Sequence, residues 1–416
     1  MKLVKFLAAG LLAVSFAATA SAQTKIYITG STAFRAATNT AILGTLAGTV
    51  TTASDNSNLS KANAVTYSGG NIGGTAVTIK TSWSGSASGI QTVAGNTAAA
   101  FTVKFLPVGA TGSANVDPRA QTNPALFEAA RPDIAMADNL QTSTLFNGTF
   151  LGKTYVSLTD NTVGVVPFEF VASNGFPTGV SMNPGFTQYL YGGIGAAPLA
   201  LLTGSTGDQH KIVYAGGRDP DSGTRINFAA ESGVGVFGGV QQYQPTISTG
   251  HITALNLYAA TTINGVPVAA GNSGESSGGS LAGFLNNVLD AGAYQTADGS
   301  ATAGYLIAYL GISDANSALT AGTNPAVAMN WNGVPYTVAA AEQGQYTFWG
   351  YEHLDYRSDL GNGTTGGPVE KKNFANALVS TIQGETTAQL APAGIALGDM
   401  AAVRTQEGTI VTANYF

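Results

Sequence analysis

The segment that decides the fold spans residues 216–228 and reads Gly-Gly-Arg-Asp-Pro-Asp-Ser-Gly-Thr-Arg-Ile-Asn-Phe. Its proline and glycine are typical of a turn, and its Asp, Ser and Thr residues are types that cap helices, so we predict a turn that leads directly into a helix. The first N–H groups of a helix have no acceptor within it, and the helix dipole adds partial positive charge there. Arg218 adds a planar guanidinium that suits phosphate or carboxylate. The segment therefore predicts an anion site.

The same arrangement occurs near the start of the chain. Residues 25–29 alternate as a short strand, a Gly-Ser-Thr turn follows at residues 30–32, and the apolar face of a helix begins at Phe34. Taken by itself, this pattern is typical of an ordinary helix cap in an α/β unit. Because it repeats the hydroxyl-rich turn and helix predicted at residues 216–228, it is a second candidate for anion binding.

Two further loops follow strand-like segments. Residues 85–91 read Gly-Ser-Ala-Ser-Gly-Ile-Gln and come after a strand pattern at residues 77–83, and the spacing leaves both Ser86 and Ser88 as candidates. Residues 133–139 form a buried-type strand that ends on Asp138. An aspartate in this position is also a common cap of the next helix.

Taken together and in this order, the motifs resemble those of periplasmic phosphate-binding proteins, the substrate-binding components of ABC phosphate importers. The most specific match is between Arg218-x-x-x-Ser-Gly-Thr-Arg225 and the family loop Arg-x-x-Gly-Ser-Gly-Thr-Arg. The resemblance implies inorganic phosphate as the ligand, an ABC permease of the inner membrane as the partner, a monomeric protein, and neither enzymatic activity nor a cofactor. The ligand-binding residues that it implies are Ser31, Thr32, Ala33, Phe34, Ser86, Ser88, Asp138, Arg218, Ser222, Gly223 and Thr224.

In that family, the aspartate at the end of the corresponding strand accepts a proton from the protonated phosphate, and the resemblance gives this role to Asp138. The sequence departs from the family at three positions: Ala137 replaces a serine, Pro220 stands where an acid is frequent, and Asp221 replaces a glycine. Either Asp219 or Asp221 can replace the lost acidic partner of Arg218, and the sequence leaves both open.

The length of the chain predicts two lobes. After a predicted export signal, roughly 390 residues remain, which is more than a single hydrophobic core usually organises. The resemblance implies an α/β, two-lobed fold with two hinge crossovers and a ligand cleft between the lobes. Lobe 1 is expected at residues 23–167 and 349–416, and lobe 2 at residues 168–348. The most strand-like run of the chain, residues 163–172, corresponds to the first crossover.

Residues 1–22 have the composition of a signal peptide. Two lysines precede an apolar run at residues 6–16 that is too short to span a bilayer, and Ala-Ser-Ala at residues 20–22 offers a cleavage site, so we expect a periplasmic or secreted protein that begins at Gln23. Without Lys2 and Lys5 the net charge of −6 becomes −8, which provides no basic footprint for nucleic acid. Because the sequence contains no cysteine, we expect no disulfides, no thiolate metal sites and no lipid-anchored N-terminus.

Several segments carry simpler expectations. Residues 49–74 are polar and rich in Gly, Ser and Asn, which favours a surface loop, whereas residues 123–130 favour a short amphipathic helix. Apolar residues between 281 and 289 form one helix face, and residues 368–383 predict a helix that begins with proline, ends at Gly384 and packs on lobe 1.

One alternative comes from another functional class. A surface or matrix protein could keep the binding-protein fold without transport, and the Gly/Ser/Thr/Asn-rich insertions and missing lipid anchor favour it. Binding of an oxyanion other than phosphate is a lesser alternative within the predicted function. The three histidines, His210, His251 and His353, lie far apart without metal-ligand spacing, so no metal site is expected.

Overall fold

The computed structural model describes residues 23–97, 100–294, 296 and 299–414, and the predicted signal peptide lies outside them. Elements are numbered in chain order. The strands before residue 160 are β1 (Thr24–Gly30), β2 (Thr51–Ser54), β3 (Ala64–Ser68), β4 (Asn71–Ile72), β5 (Thr75–Ser82), β6 (Val103–Phe105), β7 (Glu128–Ala130), β8 (Ile134–Ala137), β9 (Gly148–Phe150), β10 (Lys153–Tyr155) and β11 (Leu158–Thr159). The helices of this region are α1 (Arg35–Thr45) and α2 (Ser86–Ala94).

The central region contributes most of the short strands. Its strands are β12 (Thr162–Ala172), β13 (Ser181–Met182), β14 (Ala196–Pro198), β15 (Lys211–Ala215), β16 (Tyr243–Ser248), β17 (His251–Leu257), β18 (Thr261–Ile263), β19 (Val266–Val268), β20 (Val288–Leu289), β21 (Ala303–Gly311), β22 (Val327–Ala328) and β23 (Asn330–Trp331). Its helices are α3 (Pro184–Gly192), α4 (Ala200–Thr203), α5 (Gly223–Ser232), α6 (Gly278–Leu285), α7 (Ala291–Tyr294), α8 (Ile312–Leu319) and α9 (Val338–Glu342).

The C-terminal region returns the chain to the first strands. It contains β24 (Trp349–Arg357), α10 (Val369–Gln383), α11 (Thr387–Leu390), β25 (Ala402–Val403) and β26 (Thr412–Ala413). Short 3-10 helices lie at Leu59–Lys61, Pro118–Ala120, Pro124–Leu126, Gln141–Ser143, Thr206–Asp208 and Leu397–Asp399.

A 13-stranded mixed sheet runs through the protein, and ten of its strands follow the order β14-β15-β21-β12-β24-β8-β1-β5-β3-β2. The other three pair beside this path, β4 with β5, β11 with β24 and β22 with β12. Strands from the start of the chain occupy one half of this order, and strands from the central region occupy the other. β12 and β24 are antiparallel neighbours between the two halves. The predicted α/β class, with two halves joined by two crossover strands, is therefore confirmed.

β12 belongs to both halves because its pairing partner changes along its length. Residues 162–167 pair with β24, and residues 168–172 pair with β21. Every residue of the strand from Val163 onward is buried, which explains the continuous apolar run in the sequence. The residue limits of the two lobes stay a prediction.

Helix α10 packs as its sequence indicates. Its buried residues are Phe374, Ala375, Leu378 and Ile382, which recur on one helix face. This face contacts α1 and β1, so the C-terminal helix covers the first half of the sheet.

Three local expectations are wrong. Residues 49–74 contain β2, β3 and β4, and β3 pairs with β5, because Val65 and Tyr67 alternate into the core. Residues 123–130 form one 3-10 turn and then β7, which pairs with β6. The helix expected to reach residue 289 ends at Leu285, because the next two apolar residues form β20 and pair with β17.

Candidate functional site

The predicted binding loops meet because of the way their strands pair. β1 is parallel to both β5 and β8, and β15 is parallel to β21. The carboxyl ends of parallel strands lie at the same edge of a sheet, and ligands of open α/β sheets bind there. The loops after β1, β5 and β8 thus reach one place in the first half, and the loop after β15 reaches it from the second.

The turn at residues 216–222 leads into α5 as predicted. The Ser222 hydroxyl caps the helix by accepting a hydrogen bond from the Arg225 N–H at 3.2 Å. Gly223, the first helical residue, lies directly against the other half of the protein. A Cβ atom there would lie 1.6 Å from Asp138 Oδ1 and 2.6 Å from Ser86 Oγ. Only glycine fits at this position in the observed arrangement.

Arg218 is enclosed by backbone carbonyls. It is 1% exposed, its Nε donates to the Glu275 carbonyl at 2.9 Å, and its Nη2 donates to the Ser276 carbonyl at 3.0 Å and to Thr32 Oγ1 at 3.3 Å. Within the described residues, its Nη1 has no hydrogen-bond partner. The contact with Thr32 joins the two halves of the sheet, and the carbonyls hold the guanidinium without neutralising its charge.

Neither acid that the sequence offered as a partner pairs with Arg218. In the described part of the chain, Arg218 forms no ion pair, whereas Asp219 Oδ1 accepts from the Asp221 N–H at 3.1 Å and Asp221 accepts from the Asn264 amide. Burial raises the pKa of Asp219 to about 6 although the two nearby arginines oppose the shift, and burial raises the pKa of Asp221 as well. Both acids lie close enough to Arg218 for its charge to oppose these shifts, although neither forms an ion pair with it.

Asp138 lies opposite the N-terminus of α5. It is 1% exposed, it accepts a hydrogen bond from the Ser86 hydroxyl, and the Thr224 hydroxyl donates to its Oδ2 at 3.4 Å. Burial raises the pKa of Asp138, and the Ser86 bond and the charge of Arg218 oppose the shift. Its carboxyl group therefore connects α2 of the first half with α5 of the second.

The two candidate serines of α2 point to different partners. Ser86 contacts Asp138, whereas the Ser88 hydroxyl accepts from Asn264 Nδ2 at 3.1 Å. Asn264 and Gly265 form the turn of the β18–β19 hairpin, with positive φ angles of 48° and 83°. The structure brings Ser86 to Asp138, and it brings Ser88 to the turn of this hairpin.

The turn before α1 contributes backbone N–H groups and the Thr32 hydroxyl to the candidate site. The Phe34 N–H donates to Ser31 Oγ at 3.2 Å, and among the described residues the N–H groups of Thr32 and Ala33 have no acceptor. The Phe34 side chain is fully buried in the core, where its ring lies 3.1 Å from the Cβ position of Gly164. Its ring therefore belongs to the core rather than to the site.

Sequence reasoning missed four residues around the site. Three of them, Asn139, Asn227 and Glu352, are almost fully buried there. In the described part of the protein, no hydrogen-bond donor reaches Oδ1 of either asparagine or either carboxyl oxygen of Glu352. Asn264 is the fourth. An acid inside the strand-like run Trp-Gly-Tyr-Glu-His-Leu-Asp-Tyr was the only available signal for Glu352.

The described residues contain neither a candidate metal centre nor a candidate membrane span. They contain no group of three or more His, Cys, Asp or Glu side chains arranged to hold a metal ion. No helix in the described ranges combines the length and the apolar composition needed to cross a bilayer.

The sequence matches no family model, and no curated protein is significantly similar to it. Solved structures do match. A putative phosphate ABC transporter substrate-binding protein from Clostridium perfringens with bound phosphate is 13% identical, with a TM-score of 0.44 over 90% of this chain and 99% of that one. An ABC-type phosphate transport receptor from Vibrio cholerae is 12% identical, with a TM-score of 0.40 over 88% and 96%.

PstS from Borrelia burgdorferi is 11% identical, with a TM-score of 0.38 over 90% of this chain and 99% of that one. The structural neighbours of this chain thus include phosphate ABC transporter substrate-binding proteins, at low sequence identity and modest TM-scores.

Proposed function

We propose that this protein binds inorganic phosphate between the two halves of its sheet and delivers it to an ABC importer, without enzymatic activity. The observation that carries the proposal is the enclosure of Arg218 beside the N-terminus of α5, where it forms no ion pair with any described residue. A buried cation requires a compensating anion, and a bound oxyanion supplies one.

The donors around Arg218 suit a tetrahedral oxyanion. Hydroxyls of Thr32, Ser86 and Thr224 and backbone N–H groups of both turns lie here on the two halves. The Ser86 and Thr224 hydroxyls donate to Asp138, so a bound oxyanion would replace this carboxyl group as their acceptor. Several donors converging from different directions match an anion with oxygens on all sides. The halves must come together to assemble these donors, so the bound anion stabilises the assembled state.

Asp138 favours phosphate over sulfate in this proposal. A carboxylate repels an anion unless a proton lies between them, and phosphate near neutral pH still carries a proton that Asp138 can accept. Sulfate carries none, so two acceptors would face each other without a donor, at a cost of about 1–3 kcal/mol or more.

Calorimetric titration of the purified protein with phosphate and with sulfate, at one ionic strength, tests the proposal. We expect phosphate binding, strong rejection of sulfate, and partial loss of that rejection in Asp138→Asn, because an amide can donate a hydrogen bond to sulfate. Equal affinity of the wild type for both anions would refute phosphate as the specific ligand. Binding of neither anion would favour the alternative of a surface protein without transport.

Export and delivery are tested separately. Mass spectrometry of the secreted or periplasmic protein is expected to find Gln23 at its N-terminus, and sedimentation is expected to find a monomer. Cells that lack the protein are expected to take up radiolabelled phosphate more slowly at low phosphate concentration. Unchanged uptake, together with phosphate binding in solution, would separate the binding function from transport.

A further inference from the structure

Glu352 is a buried acid whose oxygens lack partners. It lies within β24 and is 0% exposed, and neither Oε1 nor Oε2 has a hydrogen-bond partner among the residues that the structure describes. A buried charged carboxylate without donors is strongly unfavourable, whereas the neutral acid is much less so. The surroundings of Glu352 therefore favour a proton on this side chain.

The strand register places Glu352 beside Asp138. β24 and β8 are antiparallel, with His353 opposite Ala137, and one further step of this register sets Glu352 opposite Asp138. Residues directly opposite each other in antiparallel strands point to the same face and have Cβ atoms about 4.5–5.5 Å apart. Two carboxyl groups thus lie side by side at the edge of the sheet where the binding loops meet.

The other neighbour of Glu352 provides no compensation. On β12, Gly164 lies opposite Glu352 and has no side chain, and the Phe34 ring occupies the space above this glycine. On the α5 side, Asn227 Oδ1 lies 2.2 Å from the Cβ position of Gly350, which shares a face of β24 with Glu352. This amide presents an acceptor toward β24 rather than a donor.

The charged groups that act on Glu352 are acids. Burial raises the pKa of Glu352 well above its usual range, and Asp138 and Asp355 raise it further. The Ser31 hydroxyl lies close enough to oppose part of this shift, although neither oxygen of Glu352 is within hydrogen-bond geometry of it. Helix α2, which also packs against β24, contains no charged residue.

We propose that Glu352 is the second carboxyl group of the oxyanion site and that it stays protonated when the anion binds, so that anion binding is coupled to pH. This inference rests on the proposed function. Asp138 serves as the acceptor in the site, and the neutral Glu352 beside it adds no further negative charge. Glu352 is thus a specificity residue that keeps the number of negative charges beside the bound anion low.

The direction of the pH effect follows from the charges. A bound anion disfavours the ionised form of Glu352, so binding strengthens the hold on its proton. The affinity for phosphate is therefore expected to be full where Glu352 is protonated in the free protein and to fall as the pH rises through its ionisation there. Glutamine at this position cannot ionise, and it preserves the shape of the side chain.

The experiment compares phosphate binding by the wild type and Glu352→Gln as the pH is raised stepwise from acidic conditions to the most alkaline conditions in which both proteins stay folded. The ratio of the two affinities at each pH removes the ionisation of phosphate itself. We expect affinities within about twofold at the acidic end, and binding by Glu352→Gln about tenfold tighter at the alkaline end, since one pKa unit corresponds to a factor of ten. A constant ratio over the whole range would overturn the coupling.

Glu169→Gln is the matched control. Glu169 is a buried acid on β12, and burial raises its pKa to about 7, so it titrates in the same range. Its backbone pairs with Leu310 in the second half of the sheet, and tyrosines are its titratable neighbours. We expect this variant to keep the pH dependence of the wild type. If it removes that dependence as Glu352→Gln does, the effect is a general consequence of buried acids and the assignment is wrong.

A measurement without ligand separates this inference from the proposed function. Infrared spectroscopy of the free protein at neutral pH detects protonated carboxyl groups, and we expect one such band to disappear in Glu352→Gln. An identical carboxyl region in the two proteins would show that Glu352 carries no proton and overturn the inference. If the wild type binds no phosphate at any pH, the proposed function fails, while this band still decides the protonation of Glu352.

Discussion

The turn before α1 and the turn that opens α5 are built from the same residue types but differ in what surrounds them. In both, a serine hydroxyl accepts a hydrogen bond at 3.2 Å from the N–H three residues later, Ser31 from Phe34 and Ser222 from Arg225. Each turn also carries a threonine in the site. Local capping therefore does not distinguish them.

The two turns differ in charge. The α5 turn holds Arg218, which reaches Thr32 across the two halves, and it faces Asp138. The arginine that follows the α1 turn, Arg35, donates to the Thr32 carbonyl at 2.9 Å and forms a buried ion pair with Asp314 of α8 at 3.0 Å. One turn thus supplies the cation for the proposed ligand, and the other supplies N–H groups and a link between the halves. A complete site needs both.

The largest expected effect concerns the ion pair between Arg35 and Asp314, which joins the two halves. Arg35→Ala leaves Asp314 buried without its partner, and breaking a buried pair from one side costs about 3–5 kcal/mol. We expect a matching loss in the free energy of unfolding, measured with denaturant. The double variant Arg35→Met with Asp314→Leu, which removes both charges, is expected to recover most of it. Equal stability of wild type and Arg35→Ala would mean that the pair contributes nothing to joining the halves.

Removing the cation of the α5 turn is expected to act on binding. Arg218→Ala removes a charge-assisted contact worth about 1.5–3 kcal/mol. Phosphate affinity should fall by at least about tenfold, since ~1.4 kcal/mol corresponds to one decade. Calorimetry measures it, with Arg119→Ala, whose arginine pairs with Asp117 outside the site, as the control. Unaltered phosphate binding in Arg218→Ala would remove this turn from the site.

A smaller change tests the close approach at Gly223. In Gly223→Ala the new Cβ would collide with the carboxyl group of Asp138, and such overpacking costs about 1–3 kcal/mol. We expect lower stability and weaker phosphate binding, measured by denaturation and calorimetry. Gly283→Ala is the control, because a Cβ at this α6 position meets no atom within 4 Å. If both variants behave alike, the two halves are not held together at Gly223.

The smallest effects compare the threonines of the two turns. Thr32→Ala and Thr224→Ala each remove a neutral hydroxyl, with an expected loss of about 0.5–1.5 kcal/mol in phosphate binding. Thr32 accepts from Arg218, so its loss is expected to be partly absent in an Arg218→Ala background, whereas the loss from Thr224 is expected to persist there. Calorimetry of the two double variants measures this difference. Additive losses at Thr32 would show that it does not act through Arg218.

Much of the site could be predicted because its parts are local. The turn with Arg218 and Ser222, the Gly-Ser-Thr turn before α1 and the strand that ends on Asp138 depend on residues a few positions apart. A cap bonds a residue to the one three positions on, and apolar periodicity repeats within one element. Such relations are present in the sequence before any distant segment is placed.

Other features depended on distant pairing. The different surroundings of Ser86 and Ser88 come from Asp138 and Asn264, which are remote in the chain. The carbonyls of Glu275 and Ser276, rather than a nearby acid, hold Arg218. None of these partners has a sequence signal, because backbone carbonyls and single polar residues occur everywhere.

By itself, the sequence determined the α/β class, the two hydroxyl-rich turns and the long apolar crossover strand, since short-range hydrogen bonds and the repeat of buried side chains set them. Only the tertiary structure decided that residues 49–74 become strands and that Glu352 stands beside Asp138. Strand partners and their register result from the packing of the whole sheet, in which a shift of one residue reverses every side chain. That register placed a second buried acid next to the first.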